Sequence, residues 1–244
     1  MRRGKTYPKR SARGAIAHGT DTPSVPQARN IAKPSYTLEE EIGHAVTHGI
    51  GAALSVAALV LLTVRAVMYA PPQSRAAYMT GFITFGVSLI VLYLMSTLYH
   101  ALTHTAAKHV FAIIDHCAIF LLIAGTYTAY CLTVLRGVTG WTIFAIVWTV
   151  AALGITLYAL FGSRVKIACS VAYILLGWLI AFAYKPMKEG LPPVSFHFLA
   201  AGGLCYTTGF IFYALKKVKW THFIFHILVL LGSVAHFFSV YLSI

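Results

Sequence analysis

The sequence predicts an all-α integral membrane protein, a bundle of seven transmembrane helices with a cytoplasmic N-terminus and an extracytoplasmic C-terminus. Three observations carry that reading. Of the 244 residues, 59% are hydrophobic and 10% are charged, against about 25% charged in soluble domains. The apolar residues fall in runs of about 20, the length a helix needs to cross a bilayer. Lys and Arg collect between those runs, as they do in membrane proteins. The formal net charge of +13 therefore belongs to tails and loops and does not indicate nucleic-acid binding.

Residues 1–37 are basic and dotted with Gly, Pro, Ser and Thr. They lack the apolar core of a secretory signal and read as a disordered cytoplasmic tail able to touch anionic headgroups. Residues 38–244 form the transmembrane domain. Thr37 and Glu40 have the spacing of a capping box at the start of the first helix. The first span is expected over 42–67 and the second over 78–101, after a turn holding Pro71 and Pro72. The third is expected over 110–132. Gly137 and Gly140 mark the next turn, and the fourth span covers 141–161. A tight basic connection at 162–166 leads to the fifth, 167–184. Residues 185–193 read as the longest loop after the tail. The sixth span covers 194–215, and a basic turn at 216–219 leads to the seventh, 220–244.

Lys and Arg set the orientation. With the N-terminus inside, the cytoplasmic side holds the tail's cations together with Lys108, Arg164, Lys166, Lys216, Lys217 and Lys219. The other side holds Arg65, Arg75, Arg136, Lys185 and Lys188. Positive-inside favours the first arrangement, and the tail decides it. Cys117, Cys131, Cys169 and Cys205 lie in or beside apolar runs without a CxxC, and read as free buried thiols.

The helix count brings several polar residues to one side of the membrane. Glu40, Glu41, His44 and His48 open the first span. Ser96 and His100 close the second, four residues apart and so on one face. Asp115 and His116 lie early in the third, and His222 and His226 open the seventh. Asp115 is the sole acidic residue inside an expected span, where a lone carboxylate is costly unless paired or near a metal. His100, His222 and His226 suggest a zinc site with a fourth position open for water. Asp115 is then placed as general base, with Ser96 hydrogen-bonding the site or a substrate oxygen. His104, His109 and His197 read as interface anchors or interhelical partners, and His116 and His236 as partners of that kind or as donors behind the ligands.

These residues carry a resemblance that spans Tyr36 to the C-terminus. Its marks are Glu40-Glu41 with Thr47-His48-Gly49-Ile50-Gly51, Ser96-Thr-Leu-Tyr-His100, and Asp115-His116 with Ala124-Gly-Thr-Tyr-Thr128. Gly177-Trp178, Gly202-Gly203, Phe212-Tyr213, His222-Phe-Ile-Phe-His226 and His236 complete it. In this order they resemble the hemolysin III branch of the progestin and adipoQ receptor family. The resemblance implies seven helices around a cytoplasmic-side zinc held by His100, His222 and His226. Asp115 would hold the metal's water, with Ser96 alongside. Where that family usually carries Asn after the Glu pair, this chain has His44, expected to substitute as a hydrogen-bond donor.

The leading expectation is a zinc-dependent hydrolase in a bacterial inner membrane, cleaving a lipid amide or ester in the manner of a ceramidase and serving membrane homeostasis. The partner is then membrane lipid, as substrate. A receptor or sensor with a purely structural zinc is the alternative, marked by a fourth protein ligand in place of water. A pore-forming cytolysin ranks last, because the spans carry polarity at one end and no polar stripe along their length.

Overall fold

The computed structural model describes Met1, residues 36–215 and residues 218–244. The expected basic tail, apart from its ends, lies outside the described residues, as do Lys216 and Lys217 of the basic turn. The chain divides into two units, Met1–Lys33 and Pro34–Ile244, and the second carries all the described structure beyond Met1.

Every regular element among the described residues is helical. The α-helices are α1 (Leu38–Tyr69), α2 (Arg75–Ala101), α3 (Thr105–Thr133), α4 (Gly137–Phe161), α5 (Lys166–Trp178), α6 (Tyr184–Gly190), α7 (Pro193–Ala214) and α8 (Thr221–Tyr241). Six helical segments are long and apolar enough to cross a membrane: Leu38–Tyr69, Pro72–Ala101, Thr105–Thr133, Gly137–Gly190, Pro193–Ala214 and Thr221–Tyr241. The expected fourth and fifth spans both fall within Gly137–Gly190, a 54-residue run in which 3₁₀ turns at Gly162–Val165 and Leu179–Ala183 join α4, α5 and α6.

Two sequence expectations change. Residues 185–190, expected as part of a loop, belong to helix α6, because Pro186 falls in its first turn, where its missing N–H is tolerated. The third helix begins at Thr105 rather than 110, with the His104 side chain accepting from the Ala107 amide at its N-cap.

The inner face of α1 shows how the bundle is organised. Its buried residues are Glu40, His44, His48, Gly51, Ser55, Ala58, Leu62 and Ala66, a stripe at helical spacing that runs from polar to small to apolar. The opposite face exposes Ile42, Val46, Ile50, Leu54, Val60 and Val64. A water-soluble helix puts its apolar stripe inward; here the large apolar side chains face out, as lipid requires. Small residues let the helices close. A Cβ at Gly51 would stand 2.5 Å from the Tyr93 ring, and one at Gly81 would stand 2.9 Å from the Ala129 backbone. α1 packs on α2 and α8, α2 on α3, α3 on α4, and α7 on α8. That order brings the start of α1, the end of α2 and the start of α8 together. The four cysteines are free, with Cys131 and Cys169 buried.

Candidate metal centre

The start of α1 fixes the site. Thr37 accepts from the Glu40 amide at 3.3 Å, and Glu40 Oε2 accepts from the Thr37 amide at 2.9 Å, closing the capping box. The other carboxylate oxygen, Glu40 Oε1, accepts from the Trp220 amide at 2.9 Å. Trp220 is the one non-glycine residue with positive φ among those described, at 66°. This conformation is uncommon for a bulky side chain, and the Glu40 carboxylate helps hold it. Glu40 thus ties the first turn of α1 to the entry of α8.

Glu41 does the equivalent for α2 and α3. Its Oε2 stands 2.6 Å from His100 Nδ1 and its Oε1 stands 3.0 Å from Lys108 Nζ. A carboxylate only accepts, so Nδ1 carries the proton and donates. His100 Nε2 is then a lone pair aimed inward. This is the carboxylate–histidine arrangement that orients metal ligands.

The imidazoles of His44, His100, His222 and His226 gather where α1, α2 and α8 meet. Ring centroids stand 4.7 Å apart for His44–His100 and His44–His222, and 4.8 Å for His44–His226. The other pairs lie at 5.5 Å (His100–His222), 5.0 Å (His100–His226) and 4.6 Å (His222–His226). Donor atoms of His44, His100 and His222 all lie within 4.8 Å of one another, a group that could hold a metal ion. His226 Nε2 stands 3.1 Å from His222 Nε2. Two nitrogens on a tetrahedral zinc, each bonded at about 2.0–2.1 Å, stand about 3.3 Å apart. Tyr36 stacks on His222 at 4.8 Å and meets His44 edge-on at 4.9 Å. His48 stacks on His226 at 3.7 Å.

The donor set fits a metal. Both ring nitrogens of His44, Nε2 of His100 and Nδ1 of His226 are buried without a hydrogen-bond partner in the protein. Each such group costs about 1–3 kcal/mol if left unsatisfied. One nitrogen from each of His44, His100 and His222 lies within 4.8 Å of the other two, a set that a shared cation would satisfy, and neutral imidazole is a common ligand.

The residues singled out in the sequence fare differently. The rings of His100, His222 and His226 lie 4.6–5.5 Å apart, while the three donor atoms that all lie within 4.8 Å of one another belong to His44, His100 and His222. Ser96 is buried one helical turn before His100, and Asp115 lies near enough to both for their electrostatic influence to reach its carboxylate. His44, expected as a hydrogen-bond donor, instead joins the imidazole cluster. The orienting role of Glu41 was not read from the sequence. Its signal was the spacing: Glu41, His44 and His48 are three and four residues apart, as on one side of a helix. His116 turns away, donating from Nδ1 to the Ala112 carbonyl at 2.9 Å and stacking on Tyr158. His236 makes an interhelical contact, Nε2 to the Leu199 carbonyl at 3.3 Å.

Residues 36–237 match the family described as haemolysin-III related. The chain belongs to that family. Hemolysin-3 of Bacillus cereus is 45% identical over 203 residues, covering 83% of this chain and 91% of the relative. The Hemolysin-3 homolog of Bacillus subtilis strain 168 is 44% identical over 205 residues, covering 84% and 94%. Haemolysin III proteins are a branch of the progestin and adipoQ receptor family, so the resemblance read from the motifs is established over most of the chain. With its six membrane-length segments, this member of the family is a multi-pass integral membrane protein.

Proposed function

We propose that this chain is a zinc-dependent hydrolase embedded in the bacterial inner membrane, cleaving a lipid amide or ester in membrane homeostasis. One observation carries the reading: buried imidazoles from three helices converge at one end of the bundle, with unpartnered nitrogens beside a carboxylate and a hydroxyl. His100, His222 and His226 hold the ion. A zinc there supplies a Lewis acid and lowers the pKa of a water to near 7. Asp115 accepts the proton from an attacking water, and Ser96 fixes the carboxylate's direction. Glu41 keeps His100 in the tautomer that presents Nε2. His44, His100 and His226 are buried, and low exposure to water strengthens contacts of this kind.

The surroundings support a lipid as the substrate. A cavity of about 250 Å³ lies between α1, α2 and α8, lined by Leu54, Ala58, Leu89, Tyr93, Ser233 and Phe237 among others. Its lining is apolar, and the Tyr93 ring that lines it meets the His48 ring edge-on with centroids 5.0 Å apart. A lipid chain suits that slot. In this reading Gly137–Gly190 crosses the membrane twice, giving seven passes, with the N-terminus cytoplasmic, the C-terminus outside and the metal on the cytoplasmic side.

The test pairs metal content with turnover in proteoliposomes carrying a ceramide or a phospholipid ester. Wild type should hydrolyse one of the two. Asp115→Ala should keep zinc and lose turnover. Equal turnover in wild type and Asp115→Ala, or none in either, contradicts hydrolysis. A second reading, a metal-stabilised receptor or sensor without turnover, is favoured by the presence of His44 in the cluster, since structural zinc sites carry four protein ligands.

A further inference from the structure

We propose that His44 is itself a metal ligand, so that the resting centre is closed by four imidazoles: His44, His100, His222 and His226. This rests on the metal reading above and adds the state of its coordination sphere. His44 is fully buried, and neither of its nitrogens meets a hydrogen-bond partner in the protein. Buried polar atoms are nearly always partnered, so an imidazole with both nitrogens idle inside a cluster of three others points to a bond with a shared cation. Its ring stands almost equally far from the other three, at 4.7, 4.7 and 4.8 Å. Its donor atom shares a 4.8 Å sphere with those of His100 and His222. His48 has two unpartnered nitrogens as well, but its ring meets those of Tyr93 and His226, whereas the His226 ring lies within 5.0 Å of His44, His100 and His222.

The first turn of α1 holds His44 in this place. Glu40 anchors it to the entry of α8, and Glu41 anchors it to α2 and α3. His44 lies one turn further on the same buried face, so its ring enters the cluster from the α1 side. Four neutral imidazoles saturate a tetrahedral zinc and leave no position for water. Water or a substrate carbonyl then reaches the ion only when His44 withdraws or the sphere expands to five. His44 thereby gates the site, and its departure requires a shift of the α1 entry, where Tyr36 stacks on His222.

The experiment is X-ray absorption fine structure of zinc-loaded full-length protein in detergent, which counts imidazole ligands, with a zinc competition titration alongside. Wild type should show four imidazoles. His44→Phe, which keeps the ring shape and removes both nitrogens, should show three imidazoles and one lighter oxygen donor. Its zinc affinity should fall at least about tenfold, the lower end of what losing even an outer partner of a ligand costs. Three imidazoles and an oxygen in zinc-bound wild type overturn the role of His44 while leaving the metal reading intact. Wild type that takes up no zinc overturns both. The wild-type count decides the matter even if His44→Phe does not fold.

Discussion

Glu41 shows how much one side chain can determine. It stands beside three helices, accepts from His100 Nδ1 and pairs with Lys108. Its carboxylate selects the tautomer that presents His100 Nε2 to the cluster. Glu41→Gln keeps the shape but loses the charge and half of the accepting capacity. Zinc affinity should fall by about 10–100-fold, the usual cost of losing the hydrogen-bond partner behind a ligand, with secondary structure unchanged by circular dichroism. An unchanged affinity in competition titration would show that His100 needs no orienting partner. The residues were partly legible in sequence. His100, His222 and His226 could be placed together by helix count and i, i+4 spacing alone. The inward rotation of His44 could not, because the facing of one helix toward another is set by packing, such as the tight approach of Gly51 to Tyr93.

Among the elements, α1 and α8 form the pair on which the centre depends. Glu40 links them through the Thr37 and Trp220 amides. Glu40→Ala removes both bonds and frees Trp220 from its uncommon backbone conformation. The expected loss is about 1–3 kcal/mol, read as a lower Tm in detergent. A Tm equal to wild type would mean that packing alone positions the entry of α8. Helix closeness gives a second prediction. Gly51→Val puts branched carbons where the Tyr93 ring now lies, and overpacking of this kind costs about 1–3 kcal/mol. It should also widen the gap between α1 and α2 and weaken zinc binding; a variant with wild-type Tm and affinity would contradict the packing account. The capping box was readable from Thr37 and Glu40, since its geometry is local. The second bond of Glu40 joins residues 180 apart in sequence, and no local pattern records it.

At the largest scale, the helices over 36–244 bury a histidine cluster where α1, α2 and α8 meet and expose many large apolar side chains. Composition made the membrane class legible at once, because charge is so scarce and so segregated. The connection between α4 and α7 was less legible, since 3₁₀ turns and a tolerated Pro186 keep the chain helical through Gly190. The topology makes its own prediction. In a chain with Cys117, Cys131, Cys169 and Cys205 replaced, Glu189→Cys should react with an impermeant maleimide applied outside intact cells, and Ser163→Cys should not. Labelling of both from one side would mean that Gly137–Gly190 does not cross twice. The central claim is that the histidine cluster holds a metal, and elemental analysis of detergent-purified protein addresses it most directly. Wild type should carry about one zinc per chain, and the His100→Ala, His222→Ala, His226→Ala triple variant should carry almost none; an equal metal content in the two proteins would contradict the account.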